Sequence, residues 1–203
     1  MHSVLHGSRA NGPGLRSVVW VQGCQMVGPN GEDHCPGCWN SPTWDTCGGI
    51  ETTPNMLARQ VITEAADGTE GLTISGGEPM EQAGELVSFI EIVHHYRPEW
   101  SIGIFSGYSH YELTLGSYRL TQFGGQEVSD EWKRIYWSAL RSRLDFAVLG
   151  RYDRTRPCSD GLISSHNQTL ELFTDHYRRE DFQRLMEVSV SDNGLTTITG
   201  FSS

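Results

Sequence analysis

Short apolar runs alternate with amphipathic stretches along most of this chain. Runs of this kind predict buried strands, and they lie at residues 17–22, 71–75, 101–105 and 145–150. Between them, apolar residues recur every three or four positions, which is typical of helices with one buried face. Strand and helix alternate at least three times, and this order predicts parallel β/α units.

Helix boundaries follow from capping residues. Thr53 and Pro54 have the pattern of an N-cap and a first helical residue. A second helix is expected over about residues 81–96, a short one from near Ser109, and another from a Ser129 cap to about residue 143. The remaining stretches have no clear period: we expect residues 1–16, 115–128 and 151–160 to be irregular, and residues 182–186 to be helical.

The C-terminal end of the chain predicts a small hairpin. Asp192, Asn193 and Gly194 form the expected turn between residues 187–190 and 195–199, because Asn-Gly tolerates the positive φ angles of tight turns. No linker divides the chain, so residues 1–203 are expected to form a single domain large enough for its own core.

The candidate chemistry lies where predicted strands end. Cys24 follows the first strand, Gly76 to Glu78 follow the second, and Ser106 ends the third. The carboxyl ends of parallel strands share one edge of a sheet, so these residues are expected to meet there.

Composition narrows the function classes. The formal charge of -10 argues against binding to nucleic acid or to a membrane surface, since phosphate groups need clustered Lys and Arg. No run approaches the roughly 20 apolar residues of a membrane helix, and the first residues lack the pattern of a signal peptide. Five cysteines, three of them close together, favour a reducing compartment and metal chemistry over disulfides, so we expect a cytoplasmic protein.

Three of these cysteines form the pattern C-x10-C-x2-C at Cys24, Cys35 and Cys38. Three thiolates in one loop hold a metal or a cluster and leave one coordination position free. Cys47 is a possible fourth thiolate for a tetrahedral zinc site, and His34 is another candidate ligand. The spacing alone does not choose between zinc and an iron–sulfur cluster.

The segment SGGEP, residues 75–79, favours the cluster. Paired glycines after a strand let a ligand approach the backbone closely, and Glu78 places a carboxylate at the sheet edge, where it can hold an ammonium group. Alone, this is an ordinary Gly-Gly turn before a helix. Next to a three-cysteine loop it indicates a cofactor site.

The cysteine pattern followed by SGGEP resembles the radical S-adenosylmethionine superfamily. Further stretches extend the resemblance over nearly the whole chain: GPGLRSVVWVQGC, CPGCWN, LTISGGEPMEQAGEL, FSGYSHYEL, DFAVLGRY, SSHNQ and TITGF. Together they resemble the activating enzymes of glycyl-radical enzymes, above all the activating proteins of anaerobic ribonucleotide reductase.

This resemblance implies a partial, open (β/α) barrel of parallel strands, with the cluster loop after the first strand and a small C-terminal hairpin. It implies a [4Fe–4S] cluster held by Cys24, Cys35 and Cys38, and S-adenosyl-L-methionine bound at the fourth iron. Cleavage of the cofactor would give a 5′-deoxyadenosyl radical that takes a hydrogen atom from the substrate.

The resemblance also implies the cofactor contacts. Glu78 would hold the cofactor's ammonium group, and Gly76 and Gly77 would offer backbone contacts. Gly37 and Trp39 would lie near the adenine, and Ser106 or Tyr108 would reach the ribose or carboxylate. The plain alternatives are that the aromatic residues only pack, that Asn167 and Gln168 only tie down a loop, and that Cys158 has no role.

One feature departs from the family pattern. The usual spacing is C-x3-C-x2-C, so the segment Gln25 to His34 is seven residues longer than expected. A turn at residues 28–31 would loop the extra length outward. The departure makes Cys47 the alternative candidate for the first ligand, whereas the family resemblance around VQGC favours Cys24.

A short, open barrel suits a macromolecular substrate. The expected partners are therefore a glycyl-radical enzyme, which would lose a glycine α-hydrogen, and a flavodoxin- or ferredoxin-type electron donor. The alternatives are a radical enzyme acting on another peptide or a small metabolite, and a non-catalytic zinc-binding interaction domain.

Overall fold

The computed structural model describes residues 1–119, 127–190, 194 and 196–201. Its central feature is a six-stranded, mostly parallel sheet. In their order across the sheet, its strands are β1 (Ser3–Ser8), β2 (Arg16–Val21), β3 (Gly71–Gly76), β4 (Ser101–Ser106), β7 (Phe146–Leu149) and β10 (Thr169–Leu172).

The four inner strands β2, β3, β4 and β7 are parallel and follow one another in chain order, while the edge strands β1 and β10 are antiparallel. Every residue of β3 and β7 is buried, as expected for parallel strands covered on both faces. The alternation of strand and helix is confirmed as a mixed α/β fold.

Among the residues that the structure describes, four α-helices connect the strands: α1 (Pro54–Thr63), α2 (Ala83–Tyr96), α3 (His110–Leu115) and α4 (Glu131–Arg141). Thr53 caps α1 by accepting a hydrogen bond from the Met56 amide, as the sequence predicts. All four helices contribute to one buried cluster with the sheet. A smaller cluster around Phe146 and Phe182 covers the other side of β7. No helix among the described residues is long and apolar enough to cross a membrane.

The described part of the chain also forms three two-stranded sheets. They pair β5 (Ser117–Arg119) with β6 (Glu127–Ser129), β8 (Pro157–Asp160) with β9 (Ile163–Ser165), and β11 (Met186–Val190) with β12 (Thr196–Gly200). The last pair is the expected C-terminal hairpin, although Asp192 and Asn193 of its predicted turn lie outside the described residues.

The amino-terminal segment corrects one expectation. Residues 3–8 form β1, which pairs with β2, so the cluster loop follows the second strand of the chain rather than the first. The apolar run here is broken by His6 and Gly7, and β1 is an edge strand. Its backbone pairing with β2, rather than its own side-chain pattern, makes it a strand.

Other differences fall in weakly patterned stretches. A 3₁₀ turn at Arg179–Asp181 replaces the helix predicted over residues 182–186, and Met186 already belongs to a strand. Phe182 is held in the smaller core, so its helical spacing with Leu185 and Met186 is coincidental. Short strands occupy parts of the predicted loops at residues 115–128 and 151–160, and the N-cap of α4 is Asp130 rather than Ser129.

A buried arginine joins the amino ends of the inner strands. The Arg16 guanidinium donates hydrogen bonds to the Thr73 hydroxyl, to the carbonyls of Leu72 and Ser101, and to the Tyr177 hydroxyl. Burial lowers its pKa. This network fixes the ends of β2, β3 and β4 at the edge opposite the candidate site.

Candidate cluster and cofactor site

The carboxyl ends of the parallel strands surround a cavity of about 360 Å³. Ligand sites in proteins usually measure about 300–1,000 Å³. Residues from three predicted motifs line it: Cys24, Cys35, Cys38, Trp39, Gly76, Gly77, Glu78 and Ser106. The structure therefore brings these motifs to one place. This agrees with the rule that the carboxyl ends of parallel strands share one edge of a sheet, which we call the edge rule.

The cysteine loop is tied back to the end of β2. The Gly23 and Cys24 amides donate to the carbonyls of Thr43 and Trp44, at 2.8 and 3.1 Å. A turn closed by the Cys38 amide and the Cys35 carbonyl, at 3.1 Å, brings the second and third cysteines together. Gly37 supplies the φ of 77° within this turn, a left-handed conformation that glycine adopts without steric cost.

The additional residues between Cys24 and Cys35 are only partly outside the body of the protein. Met26 and Val27 are buried, whereas the Asn30 and Gly31 tip is exposed. The Gly28 amide donates to the Glu32 carbonyl at 2.8 Å and closes a small turn. The predicted outward loop is thus confirmed for the tip, while the base of the segment packs beside the cavity.

Two charged side chains hold the base of this segment. The Glu81 carboxylate accepts a hydrogen bond from the Gln25 amide at 2.7 Å, directly after Cys24. The Arg151 guanidinium donates to the Val27 carbonyl at 2.7 Å and forms an ion pair with Glu112, also at 2.7 Å. The lengthened segment is therefore fixed at Gln25 and at Val27, close to where it leaves Cys24.

Burial controls the protonation of the three thiols. It raises the pKa of Cys24, Cys35 and Cys38, to about 11 for Cys35. The nearby carboxylates of Glu78 and Glu81 raise the pKa of Cys24 further. The cluster-free protein therefore carries neutral thiols at pH 7, and metal binding must release their protons.

The glycines of SGGEP form a backbone wall that has no room for side chains. A Cβ on Gly77 would collide with the Gly23 carbonyl, and one on Gly76 would collide with Val21. The Gly77 and Glu78 amides donate to the Val21 and Gly23 carbonyls, at 3.0 and 2.8 Å. The ends of β2 and β3 are thus held in contact next to Cys24.

The Glu78 carboxylate is fully buried and accepts three hydrogen bonds. Its donors are the Met80 amide, the Ser106 hydroxyl and the Gly107 amide, at 2.8 to 2.9 Å. Burial raises the pKa of Glu78 to about 7, while these hydrogen bonds lower it. The side chain therefore ties the end of β3 to the end of β4.

Several residues considered in the sequence lie away from the cavity wall. Gly37 is exposed in the cysteine turn, and Cys47 is exposed on a separate loop. His34 stacks on Trp44 with ring centroids 4.4 Å apart. Tyr108 is completely buried in the main core, and Cys158 packs against the smaller core.

Asn167 and Gln168 tie down a loop, as one reading of the sequence anticipated. Their side-chain amides donate to the Arg151 and Gly150 carbonyls, at 2.6 and 3.0 Å. They hold the chain just after β7. Sequence reasoning missed Arg151 and Glu81 as parts of the site, although Arg151 lies at a strand's carboxyl end and could have been found by the same edge rule.

The donor set fits an iron–sulfur cluster. All five cysteines are free, and three of them face one cavity with a wall of glycine backbone beside them. Within the described ranges, no three His, Cys, Asp or Glu side chains are grouped to hold a single metal ion. A cubane cluster has another requirement, because each thiolate binds a different iron.

Comparison with known proteins agrees with this chemistry. The family model of the 4Fe–4S single cluster domain matches residues 10–171, well over half of the chain.

Three relatives have related names. The anaerobic ribonucleoside-triphosphate reductase-activating protein of Pasteurella multocida is 31% identical over 51% of this chain and 63% of its own length. The pyruvate formate-lyase-activating enzyme of Clostridium pasteurianum is 29% identical over 72% of this chain and 60% of its length. The reductase-activating protein of Enterobacteria phage T4 is 26% identical over 84% and 92%.

The chain thus spans less than two thirds of the first two relatives and nearly all of the third. It belongs to the family of the 4Fe–4S single cluster domain.

Proposed function

We propose that this chain activates a glycyl-radical enzyme. It would cleave S-adenosylmethionine reductively and take an α-hydrogen from a glycine of its partner. The observation that carries the proposal is the convergence of three free thiols and the SGGEP strand end on one cavity at the carboxyl edge of a parallel sheet.

We assign the cluster to Cys24, Cys35 and Cys38. These thiols are close enough to interact electrostatically, since Cys35 raises the pKa of Cys24 and Cys38 raises the pKa of Cys35. Cys47 is exposed and does not line the cavity, which supports Cys24 as the first ligand. When bound, the cluster and S-adenosylmethionine supply one-electron cleavage of a carbon–sulfur bond and a radical able to abstract hydrogen.

The chain's own residues would position the cofactor. Gly76 and Gly77 would present backbone groups to its amino acid part, because both line the cavity. Trp39, which is largely exposed at the cavity wall, would pack on the adenine, with Gly37 shaping the turn beneath it.

Glu78 would act both as a brace and as a ligand. Three of its roughly four acceptor positions are already used, which leaves room for one further donor such as an ammonium group. Ser106 would then contribute by holding this carboxylate in place.

We further propose that residues 1–203 form one domain, with the sheet as an open, partial (β/α) barrel. Inner strands in chain order, with all four helices in one core, support this arrangement. An open side suits a protein substrate. The names of two relatives support an anaerobic ribonucleotide reductase as the partner, and a flavodoxin- or ferredoxin-type protein would supply the electron.

Pyruvate formate-lyase is the second candidate partner. The Clostridium pasteurianum relative matches a longer stretch of this chain than the Pasteurella multocida relative, 153 residues against 108. The two partners differ in the protein that carries the glycine and not in the chemistry of the site.

The decisive experiment begins with anaerobic reconstitution of the chain with iron and sulfide. The reduced protein is then mixed with S-adenosylmethionine and each candidate partner. We expect 5′-deoxyadenosine, together with a glycyl-radical signal on one partner in electron paramagnetic resonance. Tight zinc binding without a cluster would favour the interaction-domain alternative, and 5′-deoxyadenosine without a radical on either protein would favour another substrate.

A further inference from the structure

The C-terminal hairpin of β11 and β12 has its apolar face directed outward. Met186, Val188 and Val190 occupy every second position of β11 and therefore share one face. Ile198 of β12 lies directly opposite Val188. Each of these four side chains is more than half exposed. In a sheet with one face on the protein and the other in water, the apolar side chains normally face inward.

The polar face of the same hairpin is held against the body. The Glu187 carboxylate accepts hydrogen bonds from the Ser8 hydroxyl and the Arg9 amide, at 2.6 and 2.8 Å. The Thr199 hydroxyl accepts one from the Asn11 side chain at 2.9 Å. The outward direction of the apolar face is therefore fixed by specific contacts on the opposite face.

The base of the hairpin is anchored as well. The Phe201 amide donates to the Leu185 carbonyl at 2.7 Å, and the Phe201 ring stacks on Phe105 of β4. An isolated two-stranded hairpin is only marginally stable in water. These contacts keep it in place while its apolar face remains uncovered. Contiguous apolar surface of this kind is typical of interaction sites.

The hairpin also forms part of the wall of the cluster cavity. Thr197, Ile198 and Thr199 line the same cavity as the three thiols, and Ile198 belongs to the exposed apolar face as well. A protein segment that fills this cavity therefore contacts β12 as one part of the cavity wall. The apolar face contains no charged residue among its described members, so its partner segment should be apolar and uncharged.

We propose that this apolar face, formed by Met186, Val188, Val190 and Ile198, is the docking surface for the glycyl-radical enzyme. It contacts an apolar segment next to the target glycine and guides that glycine into the cavity. This inference rests on the proposed activating function and adds the surface by which the substrate protein is recognised.

A matched pair of substitutions tests it. Met186 in the hairpin and Met56 in helix α1 are similarly exposed, at 55% and 65%, and Met56 does not line the cavity. Met186→Gln and Met56→Gln therefore make the same chemical change at and away from the proposed surface. A double variant, Val188→Thr with Val190→Thr, removes apolar surface from two residues that do not line the cavity, and it keeps branched side chains that suit a strand.

The measurement is glycyl-radical formation on the anaerobic ribonucleotide reductase of the same organism, as a function of reductase concentration. We expect the KM for reductase to rise at least tenfold in the double variant, equivalent to about 1.4 kcal/mol. It should rise less in Met186→Gln and not at all in Met56→Gln. Formation of 5′-deoxyadenosine without reductase should stay at the wild-type level in all three, as should the melting temperature.

The outcomes are distinguishable. Equal KM values in all variants would overturn the docking surface and leave the activating function intact. A wild-type dimer that becomes monomeric in the double variant, with KM unchanged, would assign the face to a second copy of the chain and also overturn the proposal. Absence of 5′-deoxyadenosine from the wild-type protein would refute the activating function itself, and the inference with it.

Discussion

The ion pair between Arg151 and Glu112 gives the sharpest prediction about the lengthened cysteine loop. Arg151→Gln removes the charge that pairs with Glu112 and the donor that holds the Val27 carbonyl. Both side chains of the pair are largely buried, with 13% and 18% of their surfaces exposed. The substitution therefore leaves a carboxylate uncompensated in a poorly solvated place.

Breaking a buried pair by removing one partner costs about 3–5 kcal/mol. We expect a loss near the lower end, about 3 kcal/mol of unfolding free energy, because the pair retains some solvent contact. Arg151→Gln combined with Glu112→Gln should recover much of this loss, since no charge is then left unpaired. The two substitutions should accordingly be strongly non-additive.

The pH dependence has a defined sign. Burial alone would raise the pKa of Glu112, but the hydrogen bond and charge of Arg151 lower it overall. A lowered pKa in the folded state means that the pair's stabilisation is present above the ordinary glutamate pKa of about 4.3. It is lost as the pH falls through the lower folded value. The difference between wild type and Arg151→Gln should be full at pH 7 and shrink below about pH 4.

Urea unfolding of the cluster-free protein measures these free energies. Arg154→Gln is the control, because it removes the same charge from an exposed position three residues later. Arg151→Gln should also lose iron faster to a chelator after reconstitution, since Val27 is no longer fixed between Cys24 and Cys35, the two cysteines to which we assign the cluster. If Arg151→Gln is no less stable than Arg154→Gln, the ion pair does not hold this loop.

Three further predictions concern the cavity wall. Replacing Cys24, Cys35 or Cys38 by Ala should abolish the visible absorption of the reconstituted cluster, whereas Cys47→Ala should retain it. Reconstitution of the wild-type protein in weak buffer should also release protons, because these three thiols are neutral before the metal binds. Gly77→Ala should lower the melting temperature far more than Gly31→Ala, because a Cβ at Gly77 collides with the Gly23 carbonyl, whereas a Cβ at Gly31 meets no neighbour and strains only the backbone, whose φ is 91°. Glu78 has a folded pKa of about 7, so unfolding free energy of the cluster-free protein should fall by up to about 1.4 kcal/mol per pH unit between roughly pH 4.5 and 7, and Glu78→Gln should flatten that slope.

The inner strands were predictable because they carry their own signal. The strands β2, β3, β4 and β7 are buried on both faces, so each appears in the sequence as a short apolar run. Thr53 and Pro54 likewise predict the start of α1 from capping chemistry alone. The edge rule then places the cysteine loop and SGGEP together without any knowledge of the side-chain contacts.

The peripheral strands were not predictable in the same way. His6 and Gly7 interrupt the apolar pattern of β1, so its own residues do not indicate a strand. Only its pairing with β2 does. The roles of Arg151 and Glu81 depend on a contact with the cysteine loop across 124 and 56 positions of sequence. A single sequence contains no local pattern for such contacts, because they depend on how the loop folds back onto the sheet.

The two edges of the sheet divide stability from chemistry. At the amino edge, the Arg16 guanidinium donates hydrogen bonds to a hydroxyl and to carbonyls of the neighbouring strands. At the carboxyl edge, the cavity wall consists of partly buried thiols and glycine backbone, and the Glu78 carboxylate links the end of β3 to the end of β4. The main core joins the sheet to the helices and includes Cys24 only at its margin. Because the main core is built from apolar side chains of the sheet and the helices, we expect the sheet to fold without a bound metal, unlike a zinc finger, whose folding depends on its metal. The chemistry that we propose at the carboxyl edge can therefore require a cluster, a cofactor and a partner without making the sheet depend on any of them.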